Sequence, residues 1–142
     1  MRSLLTVTML TCGLGLLISI SAHSQSRATA LDTLEMRYQQ CLTSNHNMYN
    51  CALNYYKQLD SLLYNTLQYI YSHIDTNKQY QLQTDQGAWE ARKEEYFKKI
   101  DERVEKLHKS TLAGLNDDMI STDNKAAFLK DRLSLLFKDF TI

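Results

Sequence analysis

Apolar side chains in residues 29–42 recur as Leu31, Leu34, Tyr38 and Cys41 with Leu42, in steps of three and four that gather on one helical face. The polar cluster Thr43, Ser44, Asn45, His46 and Asn47 then breaks the pattern. Side chains of this kind compete for local backbone hydrogen bonds, so the cluster predicts a turn whose end caps the next helix. From Met48 to about His73 the stripe returns in near-heptad steps through Ala52, Tyr55, Leu59, Leu62, Thr66 and Tyr69. Cys51, Leu63, Ile70 and Ile74 widen it enough to face two neighbouring helices.

Asp75, Thr76 and Asn77 predict a second turn, followed by a helix from about Lys78 to Leu112. Leu82, Trp89, Tyr96 and Arg103 fall on it at sevenfold spacing, with Ile100, Val104, Leu107 and Thr111 beside them. Its outer face offers Glu to Lys pairs at i, i+4: Glu94 with Lys98, Glu95 with Lys99, Glu102 with Lys106 and Glu105 with Lys109. A solvated face accounts for them. Gly114 suits a helix C-cap, residues 115–121 read as a loop, and Thr122 or Asp123 can cap a last helix. On that helix Ala126, Leu129, Leu133, Leu136, Phe137 and Phe140 form one face. The pattern predicts an all-α fold, an elongated bundle of about four helices without a sheet.

Composition narrows this further. The 142 residues include no Pro and only 4 Gly, too few for the turn chemistry of an all-β sandwich or barrel. Sixteen basic side chains balance 16 acidic ones, which removes the electrostatic footprint of a nucleic-acid binder.

The N-terminus carries a targeting pattern. Met1 and Arg2 precede an uncharged apolar run from Leu4 to Ile20, and Ala22, His23 and Ser24 supply the small residues of a cleavage site. Residues 1–24 therefore read as a cleaved signal peptide and 25–142 as one helical domain, periplasmic or secreted, with no membrane span after cleavage. An uncleaved anchor is the alternative, since the run is near the shortest that crosses a bilayer. Cys12 is preceded by Thr11 and followed by more apolar residues, so a lipid-attachment signal is lacking. Loss of Arg2 with the segment leaves a net charge of −1.

Two cysteines then remain, Cys41 and Cys51. In an oxidising compartment they read as one intramolecular disulfide closing a short loop, worth about 3 kcal/mol through the unfolded state; the alternative is two buried thiols.

Catalytic and metal patterns are missing from the sequence. His46, His73 and His108 are spread over a turn and two helices, so no zinc-type ligand set forms and no metal or cofactor is expected. No Ser sits in a nucleophile elbow, and Asp117 with Asp118 falls in the predicted loop, where nothing raises a carboxyl pKa for acid catalysis. An enzyme is not expected. Gln86, Trp89 and Arg92 follow one another at i, i+3 and i+6, so amide, indole and guanidinium can stack. Trp89 then reads as a core anchor covered by Arg92, the alternative being an exposed hot spot for binding. All nine Tyr lie between Tyr38 and Tyr96; Tyr56, Tyr64 and Tyr71 fall off the main stripe of the second helix, where they suit another helix or a partner.

Cys41, the run Met48 to Ala52 with Cys51, Asp60 with Leu63, the segment Gln86 to Arg92 with Trp89, and the closing Gly114, Met119 and Leu129 to Leu133 with Arg132 resemble the LprI-type lysozyme inhibitor family. The family's second bridge has no counterpart, Tyr96 and residues near Asn124 standing where its cysteines fall. The resemblance implies an exported, helical, disulfide-held domain, some of whose relatives inhibit lysozyme. It implies as partner lysozyme or another peptidoglycan hydrolase, met as an inhibitor or immunity-like protein. A plug for a cleft that works through two carboxylates needs a protruding loop with donors. The turn Ser44, Asn45, His46 and Asn47, pinned by the bridge, is the candidate, ahead of the acidic stretch 115–121. The other reading is a structural or interaction protein of the cell envelope, including one that self-associates.

Overall fold

The computed structural model describes residues 22–44, 47–108 and 114–140, with side chains described for 29–44, 47–106 and 117–140. Four helices make up the fold: α1 (Ala22–Thr43), α2 (Met48–His73), α3 (Thr76–His108) and α4 (Gly114–Asp139). No strand occurs among the described residues. The all-α bundle expected from the stripes is the fold found, and α3, with 33 residues, is about 50 Å long.

Helix α4 is the centre of the bundle, packing along α2 most extensively and against α3 and α1 as well. Its apolar face explains this: Ala126, Leu129, Leu133 and Leu136 are all buried, each one helical turn from the next. They meet Tyr55, Leu59, Leu63 and Ile70 of α2, Leu82 and Trp89 of α3, and Leu31 of α1 in one core. Thr66 of α2 is buried among these residues, and its hydroxyl has no hydrogen-bond partner among the described residues. Met48 and His73, counted with the α2 stripe, lie exposed at its two ends. Tyr56 reaches α3, its ring centroid 6.3 Å from that of Phe97.

The expected turns are built as capping chemistry predicts. Asn47 caps α2, its side chain accepting from the backbone N–H of Asn50 at 3.2 Å. Asp75 caps α3 in the same way, accepting from Lys78 N–H at 3.0 Å.

Several boundaries differ from expectation. Helix α1 is described from Ala22 rather than from near Thr29 and so runs across the proposed cleavage boundary; the apolar run itself lies outside the described residues. Helix α3 is described to His108, and 109–113 lie outside the described residues, as does Lys109 of one expected ion pair. Of the other pairs, Glu95 and Lys99 meet at 2.7 Å, while Lys98 leans toward Glu102 at 3.9 Å.

The largest correction concerns 114–123. Gly114 is not a C-cap but the first residue of α4, and 115–121 are helical rather than a loop. Asp117 falls in the first turn, where a carboxylate complements the helix dipole. Neither Thr122 nor Asp123 is a cap: the Thr122 hydroxyl donates to the carbonyl of Asp118 at 2.8 Å inside the helix, and Asp123 accepts from Tyr38. Residues that favour caps are held in a helix here because Ser121 and Ala126 are buried against the bundle.

Candidate functional site

Two places gather the residues singled out in the sequence. The first is the α1–α2 end of the bundle. Cys41 and Cys51 are bonded, with Cα atoms 5.8 Å apart. Since both sulfurs are joined, neither cysteine supplies a thiolate nucleophile. Around the bridge the chain ties itself down: the Ser44 hydroxyl donates to the Gln40 carbonyl at 2.5 Å, Thr43 does so at 3.0 Å, and Ser44 N–H donates to the Cys41 carbonyl at 3.3 Å. On the far side Cys51 N–H donates to the Asn47 carbonyl at 3.1 Å. Asn45 and His46, the tip of the candidate binding turn, lie outside the described residues, so the structure establishes the turn's two anchors, Ser44 and Asn47.

Behind the bridge, Tyr38 and Tyr55 stack with centroids 4.5 Å apart and planes within 1° of parallel. Tyr38 donates its hydroxyl to Asp123 Oδ1 at 2.6 Å, which ties α1 to α4. Burial raises the pKa of both phenols. For Tyr38 the hydrogen bond to Asp123 adds to the rise; for Tyr55, pushed up to about 12, the charges of Glu35 and Asp123 add to it. Lys130 bridges to Glu35 at 2.7 Å beside them. The anchors of the turn, Ser44 and Asn47, therefore stand on a braced platform.

The second place is the α3–α4 contact. Trp89 is buried, as its stripe predicts. Arg92 does not cover it: although only three residues from Trp89, it is exposed. Two other cations take its place. Lys93, one turn on from Trp89, holds its ammonium 5.2 Å from the ring centroid, and Arg132 of α4 holds its guanidinium carbon at 5.6 Å. Phe128 stacks on the indole at 5.5 Å.

Arg132 is the residue that the sequence reading undervalued. It is 5% exposed, and its guanidinium is satisfied by Gln86 Oε1, which accepts from Nε at 3.0 Å and Nη2 at 2.8 Å, and by Asp85, 2.7 Å from Nη1. Gln86 in turn donates to Glu90 Oε1 at 2.9 Å, and Glu90 pairs with Lys93. The available signal was an Arg three residues after Leu129 and four before Leu136, inside an apolar stripe, where a cation is kept only if it is paired. This cluster is closed and serves the fold.

Met48 and Asp60, two of the residues that carried the family resemblance, are exposed on α2. Asp75 is held below the usual carboxylate range first by the Lys78 backbone N–H, as suits a cap and not a proton donor. No group of three or more His, Cys, Asp or Glu converges on one point among the described residues. No helix among them is long and apolar enough to cross a membrane. No protein-family model, no curated protein and no solved structure matches the chain.

Proposed function

We propose that the chain is an exported binding protein, of the LprI type, that inhibits lysozyme or another peptidoglycan hydrolase in the periplasm or outside the cell. One observation carries the reading: a short polar turn fixed at both ends by the Cys41–Cys51 bridge and by the hydrogen bonds of Ser44 and Asn47. A pinned loop loses little freedom on binding, which is the physical requirement for a plug that enters a preformed cleft. Asn and Ser offer donors to the paired carboxylates that glycoside hydrolysis uses. A disulfide also suits the oxidising compartments where those enzymes work. The acidic stretch 115–121 is folded into α4 and is no longer offered as a loop to the target.

The test is the clearing of a cell-wall suspension by lysozyme and a panel of peptidoglycan hydrolases, with and without the purified protein. Slower clearing of at least one, lost when Asn45, His46 and Asn47 are replaced together by Ala, is the expected result. Unchanged clearing throughout leaves the second reading, an envelope interaction protein. That reading is favoured by large apolar side chains left exposed on two helices, Met36 on α1 with Ile120 and Leu135 on α4. Light scattering of the same sample over a range of concentrations measures its self-association.

A further inference from the structure

We propose that the crevice between α2 and α3 binds a neutral oligosaccharide, stacking a sugar ring on exposed tyrosines and pairing its hydroxyls with free glutamine amides. This goes beyond the inhibitor reading and does not rest on it. The crevice encloses about 270 Å³ and is lined by Leu67, Gln68 and Tyr71 of α2 and by Leu82, Gln83 and Gln86 of α3. The two leucines are the most covered of the apolar lining and form its aliphatic floor. The amide of Gln86 is already committed to Arg132 and Glu90. Gln68 and Gln83 have no side-chain hydrogen bond among the described residues.

Tyrosines flank this lining on both helices. Tyr64, Gln68 and Tyr71 stand at i, i+4 and i+7 on α2, and Tyr80 stands one turn before Gln83 on α3. Their exposures are 63% for Tyr64, 44% for Tyr71 and 73% for Tyr80, high for rings of this size in a small bundle. One turn beyond Gln83 the surface stays open, since a Cβ at Gly87 would meet nothing within 4 Å. At the hairpin end one side chain ties the two walls together. Gln79 of α3 donates its amide to the carbonyls of Tyr71, at 2.9 Å, and Ile74, at 3.3 Å.

The chemistry of the lining selects the ligand. The lining holds no carboxylate, ammonium, guanidinium or imidazole, so nothing in it supplies the opposite charge that a phosphate, a carboxylate or a basic peptide calls for. A purely apolar ligand would leave the amides facing it without partners. A sugar ring presents a C–H face to an aromatic ring and hydroxyls that both donate and accept, and an amide matches them with two donors and an acceptor. The volume lies just under the usual range of ligand pockets, room for one ring of a longer sugar chain.

The experiment is a titration of the purified protein with chitotriose, cellotriose and maltotriose in turn, following the side-chain amide resonances of Gln68 and Gln83. At least one sugar is expected to shift both resonances saturably. Affinity is expected to fall tenfold or more in Tyr71→Ala and in Gln83→Ala, with the denaturation midpoint unchanged, while Met36→Ala binds as the parent does. Absence of a saturable shift with all three sugars overturns the proposal, as does binding that neither variant weakens. Shifts that depend on protein concentration alone also overturn it, and assign the face to a second copy of the chain.

Discussion

Arg132 on α4 holds Gln86 on α3 through a fork, Nε and Nη2 both donating to one carbonyl oxygen at 3.0 and 2.8 Å. Asp85 of α3 pairs with the same guanidinium at 2.7 Å and Asp101 of α3 with Lys125 of α4, and the rest of the seam is apolar contact, which tolerates sliding. A fork does not, because displacement of α3 by one turn, about 5.4 Å, separates the pair and leaves a buried cation unpaired. The register of α3 on α4 is thus set by polar contacts inside a largely apolar seam.

Replacement of Arg132 by Ala removes one of the two cations over Trp89 and leaves the Gln86 carbonyl without its donor. We expect a loss of about 2–4 kcal/mol, the sum of a cation–π contact and an unsatisfied amide. Arg132→Lys is expected to recover only part of it, since an ammonium cannot reproduce the fork. Urea denaturation followed by circular dichroism measures both.

Trp89→Ala should cost about 3–5 kcal/mol, because a buried indole is lost and Phe128 and Leu82 cannot close the space. Arg92→Ala, at an exposed site, should stay within about 0.5 kcal/mol of the parent. Equal losses in the two variants would return Arg92 to the cluster.

Thr66→Val is expected to stabilise the protein, by about 1 kcal/mol. The substitution removes a buried hydroxyl that has no partner among the described residues while keeping the branched shape. A lowered midpoint in this variant would show that the hydroxyl is paired after all.

The linked Cys41 and Cys51 should appear as one joined peptide pair when the protein is digested without reductant and weighed. Replacing both by Ser is expected to lower stability by about 3 kcal/mol, the loop-closure entropy returned to the unfolded chain.

Alkaline pH supplies a further check. The Tyr55 phenol is pushed up to about 12 in the folded state and that of Tyr38 is raised too, from an ordinary value of 10.0. Between pH 10 and 12 the native state therefore holds protons that the unfolded state releases, so the stability that these phenols contribute is constant below pH 10 and falls as pH rises above it. Tyr38→Phe should show a shallower fall in denaturation midpoint over that interval than the parent. An identical slope would remove Tyr38 from the linkage.

The fold was legible where apolar periodicity was strong. The steps from Ala52 to Ile70 and from Ala126 to Leu136 predict two buried faces that the structure places against each other. The cap at Asn47 and the turn at Asp75 were legible too, where short polar side chains stood at a break in the stripe; that Asp75 itself caps α3 came from the structure. The reading failed at 114–123, where Gly, Asn, Asp, Ser and Thr signal a loop by local preference. Those preferences amount to fractions of a kcal/mol per residue, and burying one helix face outweighs them.

By itself, then, the sequence determined the all-α bundle, its buried faces and the pairing of Cys41 with Cys51, because each depends on spacing within a few tens of residues. Tertiary structure alone decided that Arg132 and not Arg92 covers Trp89, that Tyr38 meets Asp123, and that α2 and α3 leave a tyrosine- and glutamine-lined crevice. These pairs lie 43 and 85 residues apart or on opposite walls of a hairpin. The choice among many candidate partners at such separations is made by how the helices pack, and no local pattern in the chain records it.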